Sequence, residues 1–337
     1  MRPPSVRAIL PVPAIPATPR WYDDVSGYRP PRWRILWLDG YYDCRTYTYY
    51  CDIRNALSEF HEVIPVGRAL RLNESDVDLI VVGYKHTAAM GSVEDALGIS
   101  RRAFSRVPLV VLVNKVYTGF FDECAGQLEA KLRWPKEAGA AVAFSRNALS
   151  DDLSRKYGTV YHWLPFAFDV QKYAPHAGPV DGQPCDVGFK GASAPHKYPL
   201  RVKLLAALRD LKHVMTLLAA WYRPAGKPAL MGRACFGHAD AGYTYGYASY
   251  LREVAATKIW ISTEGPETIP RSQLLVGQRY FEVLASGTTL LLCSRLPEGQ
   301  YHHLFEDGKH VVMFDSPADM VEKIHFYLSR DGEERRR

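Results

Sequence analysis

The sequence predicts a doubly wound α/β protein built from two similar halves, and three observations predict it. Short runs rich in Val, Leu and Ile alternate with helix-length intervals from Trp33 almost to the C-terminus. Runs apolar on both faces are what a parallel sheet covered by helices requires. The alternation lapses at Asp169–Pro184, a stretch of prolines and glycines without apolar periodicity, and then restarts. Finally, 337 residues of which 47% are apolar are enough to bury two cores. Two such halves with a hinge between them imply a cleft, where ligands sit beyond the carboxyl ends of the strands.

The elements follow in order. Residues 1–32 are interrupted by prolines throughout and predict a flexible, polyproline-leaning tail. The first half, 33–168, opens with the strand "WRILWLD" (Trp33 to Asp39). Tyr47, Tyr50, Ile53, Leu57 and Phe60 then recur at helical spacing. "HEVIPV", "VDLIVVGY", "VPLVVLVNK", "AAVAFS" and "YHWLPFA" continue the strand series, and "SDD" at Ser150–Asp152 starts a helix. Residues 169–184 form the linker. The second half, 185–330, begins with strand "CDVGFK". Pro199 then opens a helix with Leu200, Leu204, Leu205, Leu208 and Leu211 on its apolar side. Strand "HVMTLLAA", an irregular Gly/Tyr-rich stretch, helix "YASYLREVAAT", strand "KIWIST", helix "GQRYFEVLAS", strands "TTLLLC" and "HVVMF" and a helix from Ser316 complete it. Residues 331–337 are a charged tail.

Composition narrows the function classes. The net charge of +6 suits an anionic partner, but the basic residues are scattered rather than gathered into a stripe, so no nucleic-acid partner is expected. Six cysteines show no CxxC and no zinc-ligand spacing, which indicates neither a metal site nor a disulfide scaffold and makes a reducing compartment the default. No run approaches the roughly 18 apolar residues of a membrane span. The expectation is a cytoplasmic protein, with peripheral membrane contact left open. No D-x-D triplet follows a strand, so metal dependence is not expected.

The stretch "GQRYFEVLASGTTLLLC", Gly277 to Cys293, carries the most chemistry. On a helix, Gln278, Arg279 and Glu282 share one face, while Tyr280, Phe281 and Leu284 point toward the core. Gly287 is placed to end the helix in a left-handed conformation. One account of this pattern is an ordinary amphipathic helix with an i, i+3 ion pair. The other is a helix N-terminus that faces a pyrophosphate, helped by Arg279, with Glu282 accepting from a ribose diol.

Together with "LFEDGKHVVMF" and "DMVEKIHFYL" at natural spacing, this stretch resembles the donor-binding half of GT-B glycosyltransferases, in particular the CgeB-like branch of the group 1 superfamily. "DVGFKG" with downstream Arg201, and "WLPFAFDVQKYAP", add to the resemblance. It implies a GT-B fold of two Rossmann-like domains facing each other across a cleft. It also implies transfer of a sugar from a nucleoside-diphosphate sugar, UDP- or GDP-linked, to a glycan, protein or small-molecule acceptor. No further cofactor is implied. By the same resemblance Glu282 holds the ribose, Arg279 lies beside the diphosphate and Gly287 closes the helix. The chain departs from the pattern at Leu274, where many retaining members carry a first glutamate. That departure motivates the alternative of a non-catalytic sugar- or nucleotide-binding protein on the same scaffold.

Other candidates are spread over both halves. Gly188 and Gly191 flank Lys190 and would permit close backbone approach to a ligand, with Lys190 either neutralising a phosphate or standing as a solvated loop lysine. Arg201 is a comparable phosphate candidate, and Thr263 ends its strand where its hydroxyl could line the cleft. Glu264 and Glu267 could substitute for the missing glutamate or be solvated loop carboxylates. Asp39, and Asp43 in the same loop, could act as general base on an acceptor hydroxyl or cap the next helix. His86 is a second base candidate. Tyr243, Tyr245, Tyr247 and Tyr250 could stack on sugar rings or pack around a turn.

Overall fold

The computed structural model describes residues 31–38, 48–65, 72–84, 101–113, 125–147, 150–166, 183, 185–192, 198–211, 217–222, 228–231, 247–263, 276–296 and 304–330. They form two six-stranded sheets with helices between the strands.

The first sheet comprises β1 (Arg34–Leu38), β2 (Glu62–Pro65), β3 (Leu79–Tyr84), β4 (Leu109–Val113), β5 (Val142–Ser145) and β6 (Tyr161–Trp163). Its order is β2-β1-β3-β4-β5-β6 and every pairing is parallel. Helices α1 (Thr48–Phe60), α2 (Ala125–Glu137) and α3 (Ser150–Tyr157) lie among these strands in sequence. Both faces are packed. Leu36, Ile80, Leu109, Val111 and Ala143 join one cluster with Leu132, Trp134 and Leu153 from the helices. Ile35, Trp37, Val81 and Leu112 form a second cluster, against which Ile53 and Leu57 of α1 pack. Adjacent residues along β1 thus enter opposite cores, the period-2 consequence of a strand buried on both sides.

The second sheet comprises β7 (Cys185–Ala192), β8 (Leu217–Tyr222), β9 (Pro228–Met231), β10 (Thr257–Ser262), β11 (Leu290–Ser294) and β12 (Val312–Phe314). Its order, β12-β11-β10-β7-β8-β9, is the arrangement in which the chain runs outward from the first strand on one side and then returns to build the other. Helices α4 (Pro199–Leu211), α5 (Tyr247–Ala255), α6 (Gln278–Ala285) and α7 (Pro317–Leu328) complete it. On one face Leu204, Leu205 and Leu208 of α4 and Met320 and Ile324 of α7 pack with Val187, Phe189, Ile259 and Ile261. On the other, Val254 of α5 and Tyr280 and Val283 of α6 pack with Trp260, Leu291 and Cys293.

Several local expectations are met. Pro199 is the first residue of α4, and Ser316 caps α7 by accepting from the Asp319 N–H at 3.1 Å. Gly287 takes φ +65° just past Ser286, the C-cap of α6. Three expectations are corrected. Strand β9 lies in the stretch read as irregular. It is antiparallel to β8, at the sheet's edge, with Pro228 as its first residue, a place where a missing N–H disturbs no central ladder. Gln183, read as linker, is buried, and its Nε2 reaches the carbonyls of Ala255 at 3.2 Å, Thr257 at 3.3 Å and Thr288 at 3.2 Å. Against the expectation that the cysteines indicate no disulfide scaffold, Cys185 is disulfide-bonded, while Cys293 is buried. Among the described residues no helix is long and apolar enough to cross a membrane.

Candidate functional site

Strand order decides where a ligand can lie. In the second sheet the direction of winding reverses between β7 and β10, and in open parallel sheets the crevice at such a reversal, beyond the carboxyl ends, receives the ligand. Lys190 is near the carboxyl end of β7 and Thr263 directly follows β10. Helix α6 connects β10 to β11, two neighbouring parallel strands, so it starts on the same side.

The start of α6 carries no capping side chain among the described residues. Its N-cap is Gly277, which offers no side chain to the first N–H groups, and a Cβ placed there would meet nothing within 4 Å. Helix N-termini leave N–H groups without intrahelical partners and carry partial positive charge. Arg279 stands in this first turn, and its Nε is buried without a hydrogen-bond partner among the described residues. Glu282, one turn in, is 8% exposed.

These two side chains do not stand alone. Tyr250 of α5 has its hydroxyl within interaction distance of both Arg279 and Glu282, and its ring packs edge-on against Trp260 at 5.8 Å. Burial first, and the Glu282 carboxylate second, push the Tyr250 phenol far above its ordinary range, so it remains a neutral hydroxyl. Lys190 lies over the same ring, its Nζ 6.0 Å from the centroid, and is ion-paired with Glu253 of α5. Burial lowers the Lys190 pKa, Glu253 opposes that shift, and the nearby Arg279 charge adds to it. Two cations, two carboxylates and a neutral phenol from β7, α5 and α6 therefore meet at the winding reversal.

Arg201 and Thr263 make a second grouping. The Arg201 Nε donates to the Thr263 hydroxyl at 2.6 Å, and the guanidinium covers the Tyr198 ring at 4.0 Å. Since β10 ends at Ser262, Thr263 is indeed at a carboxyl end.

Some candidates change meaning. Lys190 is neither a loop residue nor solvated, because β7 continues to Ala192 and the side chain is only 12% exposed. Gly188 serves the core rather than a ligand. A Cβ there would lie 2.5 Å from the Trp260 ring, its cross-strand neighbour. Gly191 lies inside β7 rather than past its end. Gly287 closes the far end of α6, and Tyr250 packs on Trp260 as a partly buried side chain of α5. Asp39, Asp43, His86, Glu264, Glu267, Tyr243 and Tyr245 lie outside the described residues, although β1 and β3, which Asp39 and His86 follow in sequence, flank the winding reversal of the first sheet. Glu253 was not singled out in the sequence. Its only local signal is its place three residues after Tyr250 on the same face of α5.

Residues 201–337 match a family model described as glycosyl transferase-like. That stretch of the chain carries a glycosyl transferase-like domain. Among solved structures, an alpha-glucosyltransferase in complex with UDP-glucose and DNA containing an abasic site superposes with a TM-score of 0.58 at 14% identity, over 90% of this chain and 92% of that one. A glycosyltransferase from Rickettsia africae ESF-5 superposes with a TM-score of 0.52 at 11% identity, over 91% of this chain and 93% of that one. At these identities the likeness defines the fold, which is GT-B, with two Rossmann-like domains. No curated protein sequence matches the chain. The α5–α6 cluster and the Arg201–Thr263 pair both fall in the glycosyl transferase-like region, with Lys190 just before it.

Proposed function

We propose that the chain transfers a sugar from a nucleoside-diphosphate sugar to a glycan, protein or small-molecule acceptor, without a metal. The observation that carries this reading is the glycine-capped N-terminus of α6 at the winding reversal, with Arg279 in its first turn, Glu282 one turn in and Lys190 beside them. Backbone N–H groups at a helix start and the helix dipole favour a diphosphate. Glu282 would accept from the ribose hydroxyls, with Tyr250 beside its carboxylate. As the bond to the sugar breaks, negative charge grows on the leaving nucleoside diphosphate. Arg279, Lys190 and the helix N–H groups would stabilise that charge in place, the role a divalent cation fills in other transferases. Arg201 and Thr263 would line the same crevice.

Asp39 and His86 remain the base candidates on the acceptor side, and a cytoplasmic site of action goes with this reading. The order of motifs in the C-terminal region supports the finer placement in the CgeB-like branch. UDP- and GDP-linked sugars are the donors of choice.

The test is hydrolysis or transfer from UDP- and GDP-sugars in excess EDTA, with nucleotide binding followed by calorimetry. Glu282→Ala is expected to keep the fold and to weaken nucleotide affinity about tenfold to a hundredfold, the worth of a hydrogen bond to a charged group. Undiminished affinity in that variant, or activity that EDTA abolishes, would count against the proposal.

A further inference from the structure

We propose that Tyr250 is a positioning residue of the donor site, its hydroxyl turning the Glu282 carboxylate toward the donor's ribose and so setting a preference for ribonucleotides over deoxyribonucleotides. The proposal rests on the reading that Glu282 accepts from the ribose hydroxyls.

A glutamate side chain rotates about several bonds, so a place on α6 does not by itself aim its carboxylate. Aim comes from a rigid neighbour, and the Tyr250 ring is one. It packs edge-on against Trp260 at 5.8 Å and joins the cluster that holds Val254 of α5 and Val283 of α6. Trp260 is fixed in turn. It is fully buried, and its ring fills the space left open by Gly188 across the strand pair, where a Cβ would come within 2.5 Å. The strands β7 and β10 thus set the indole, and the indole sets the phenol ring. The phenol oxygen ends within interaction distance of both Arg279 and Glu282.

Chemistry gives that contact a direction. A guanidinium can only donate hydrogen bonds and an ionised carboxylate can only accept them, whereas a neutral phenol does both. Burial first, and Glu282 second, keep the Tyr250 phenol protonated. Within reach of both side chains, it accepts from Arg279 and donates to Glu282. Where Glu282 is only 8% exposed, such a fixed donor supplies orientation that mobile water does not. The role does not require the phenol to be the sole neighbour of Glu282. It requires that the carboxylate turns when the hydroxyl is taken away.

A tyrosine that only fills the core supports the whole site, so loss of its hydroxyl would weaken every nucleotide alike. A tyrosine that aims the ribose-binding carboxylate matters only when ribose hydroxyls are there to be held.

The experiment compares, by calorimetry, the affinities of UDP and GDP with those of their 2′-deoxy and 3′-deoxy forms. Wild type should prefer the ribonucleotide of the base that binds by about tenfold or more over at least one deoxy form, and Glu282→Ala should abolish the preference. Tyr250→Phe keeps the ring against Trp260 and removes one oxygen. It should weaken the ribonucleotide about threefold to tenfold and leave that deoxy form within about twofold of wild type, so that the preference narrows. Added to Glu282→Ala, it should cost the ribonucleotide nothing further, because the two side chains act as one unit. Should Tyr250→Phe fail to fold, Tyr250→Met fills the place with a flexible apolar chain that also lacks the hydroxyl, and the same narrowing is expected.

Equal weakening of ribo- and deoxynucleotides by Tyr250→Phe, unchanged affinity for both, or losses that add in the double variant would overturn the positioning role. A preference that still depends on Glu282 would then leave the donor site intact. A wild type that binds neither nucleotide, or a preference that survives Glu282→Ala, overturns the ribose reading itself.

Discussion

The carboxyl edge of the second sheet holds two cation–carboxylate pairs that look alike on paper and behave differently. Arg295, just past β11, meets Asp315, just past β12, through two parallel contacts of 2.5 and 2.9 Å, and Asp307 approaches the same guanidinium at 3.5 Å. These side chains are 40–57% exposed. Asp315 first, and then Asp307, hold Arg295 even more firmly protonated than usual. Lys190 and Glu253 make a single contact in a largely buried place, and there the cation's pKa moves down. The difference lies in hydration. A planar fork matched by a carboxylate at the surface keeps water on its outer side, whereas a buried ammonium has given up water that its carboxylate only partly replaces, beside a neighbouring cation.

The largest effect should come from breaking the buried pair. Glu253→Ala removes one partner of a buried pair, a change that costs roughly 3–5 kcal/mol. Denaturant unfolding near neutral pH should show it as a lowered midpoint at unchanged slope. Because a neutral lysine is easier to bury, the deficit should shrink as pH rises. A deficit that stays constant into the alkaline range would mean that Lys190 does not depend on Glu253.

Gly188→Ala tests the wall behind that pair. The new Cβ would lie 2.5 Å from the Trp260 ring, against which Tyr250 packs. Overpacking of this kind costs about 1–3 kcal/mol. The displaced indole should also move Tyr250, so nucleotide affinity should fall along with thermal stability. Reduced stability with unchanged affinity would separate the core from the site.

These positions also show how far the sequence was legible. Periodicity located the core strands because burial on both faces writes itself into a run such as "LLLC" of β11 without reference to any partner. The helix start at Gly277 and the left-handed stop at Gly287 were legible for the same reason, each being a local backbone requirement. Gly188 was misread because its reason is Trp260, a cross-strand neighbour set by register that no local pattern reveals. The burial of Lys190 in β7 was hidden likewise. Its partner lies 63 residues away on a helix, and only folding brings them together. Strand β9 escaped because four residues beginning with proline at a sheet edge carry almost no periodicity.

The smallest effect belongs to the exposed pair. Asp315→Asn removes one side of the fork but leaves Arg295 hydrated and still within reach of Asp307. Exposed pairs contribute about 0–1 kcal/mol, and added salt screens them over roughly 10 Å at 0.1 M. The expected change is therefore a small drop in unfolding midpoint at low salt that disappears at high salt, with nucleotide affinity unaltered. If Asp315→Asn instead destabilised the protein as much as Glu253→Ala, geometry rather than hydration would govern both pairs. The contrast between a hydrated surface fork and a desolvated buried pair would then be lost.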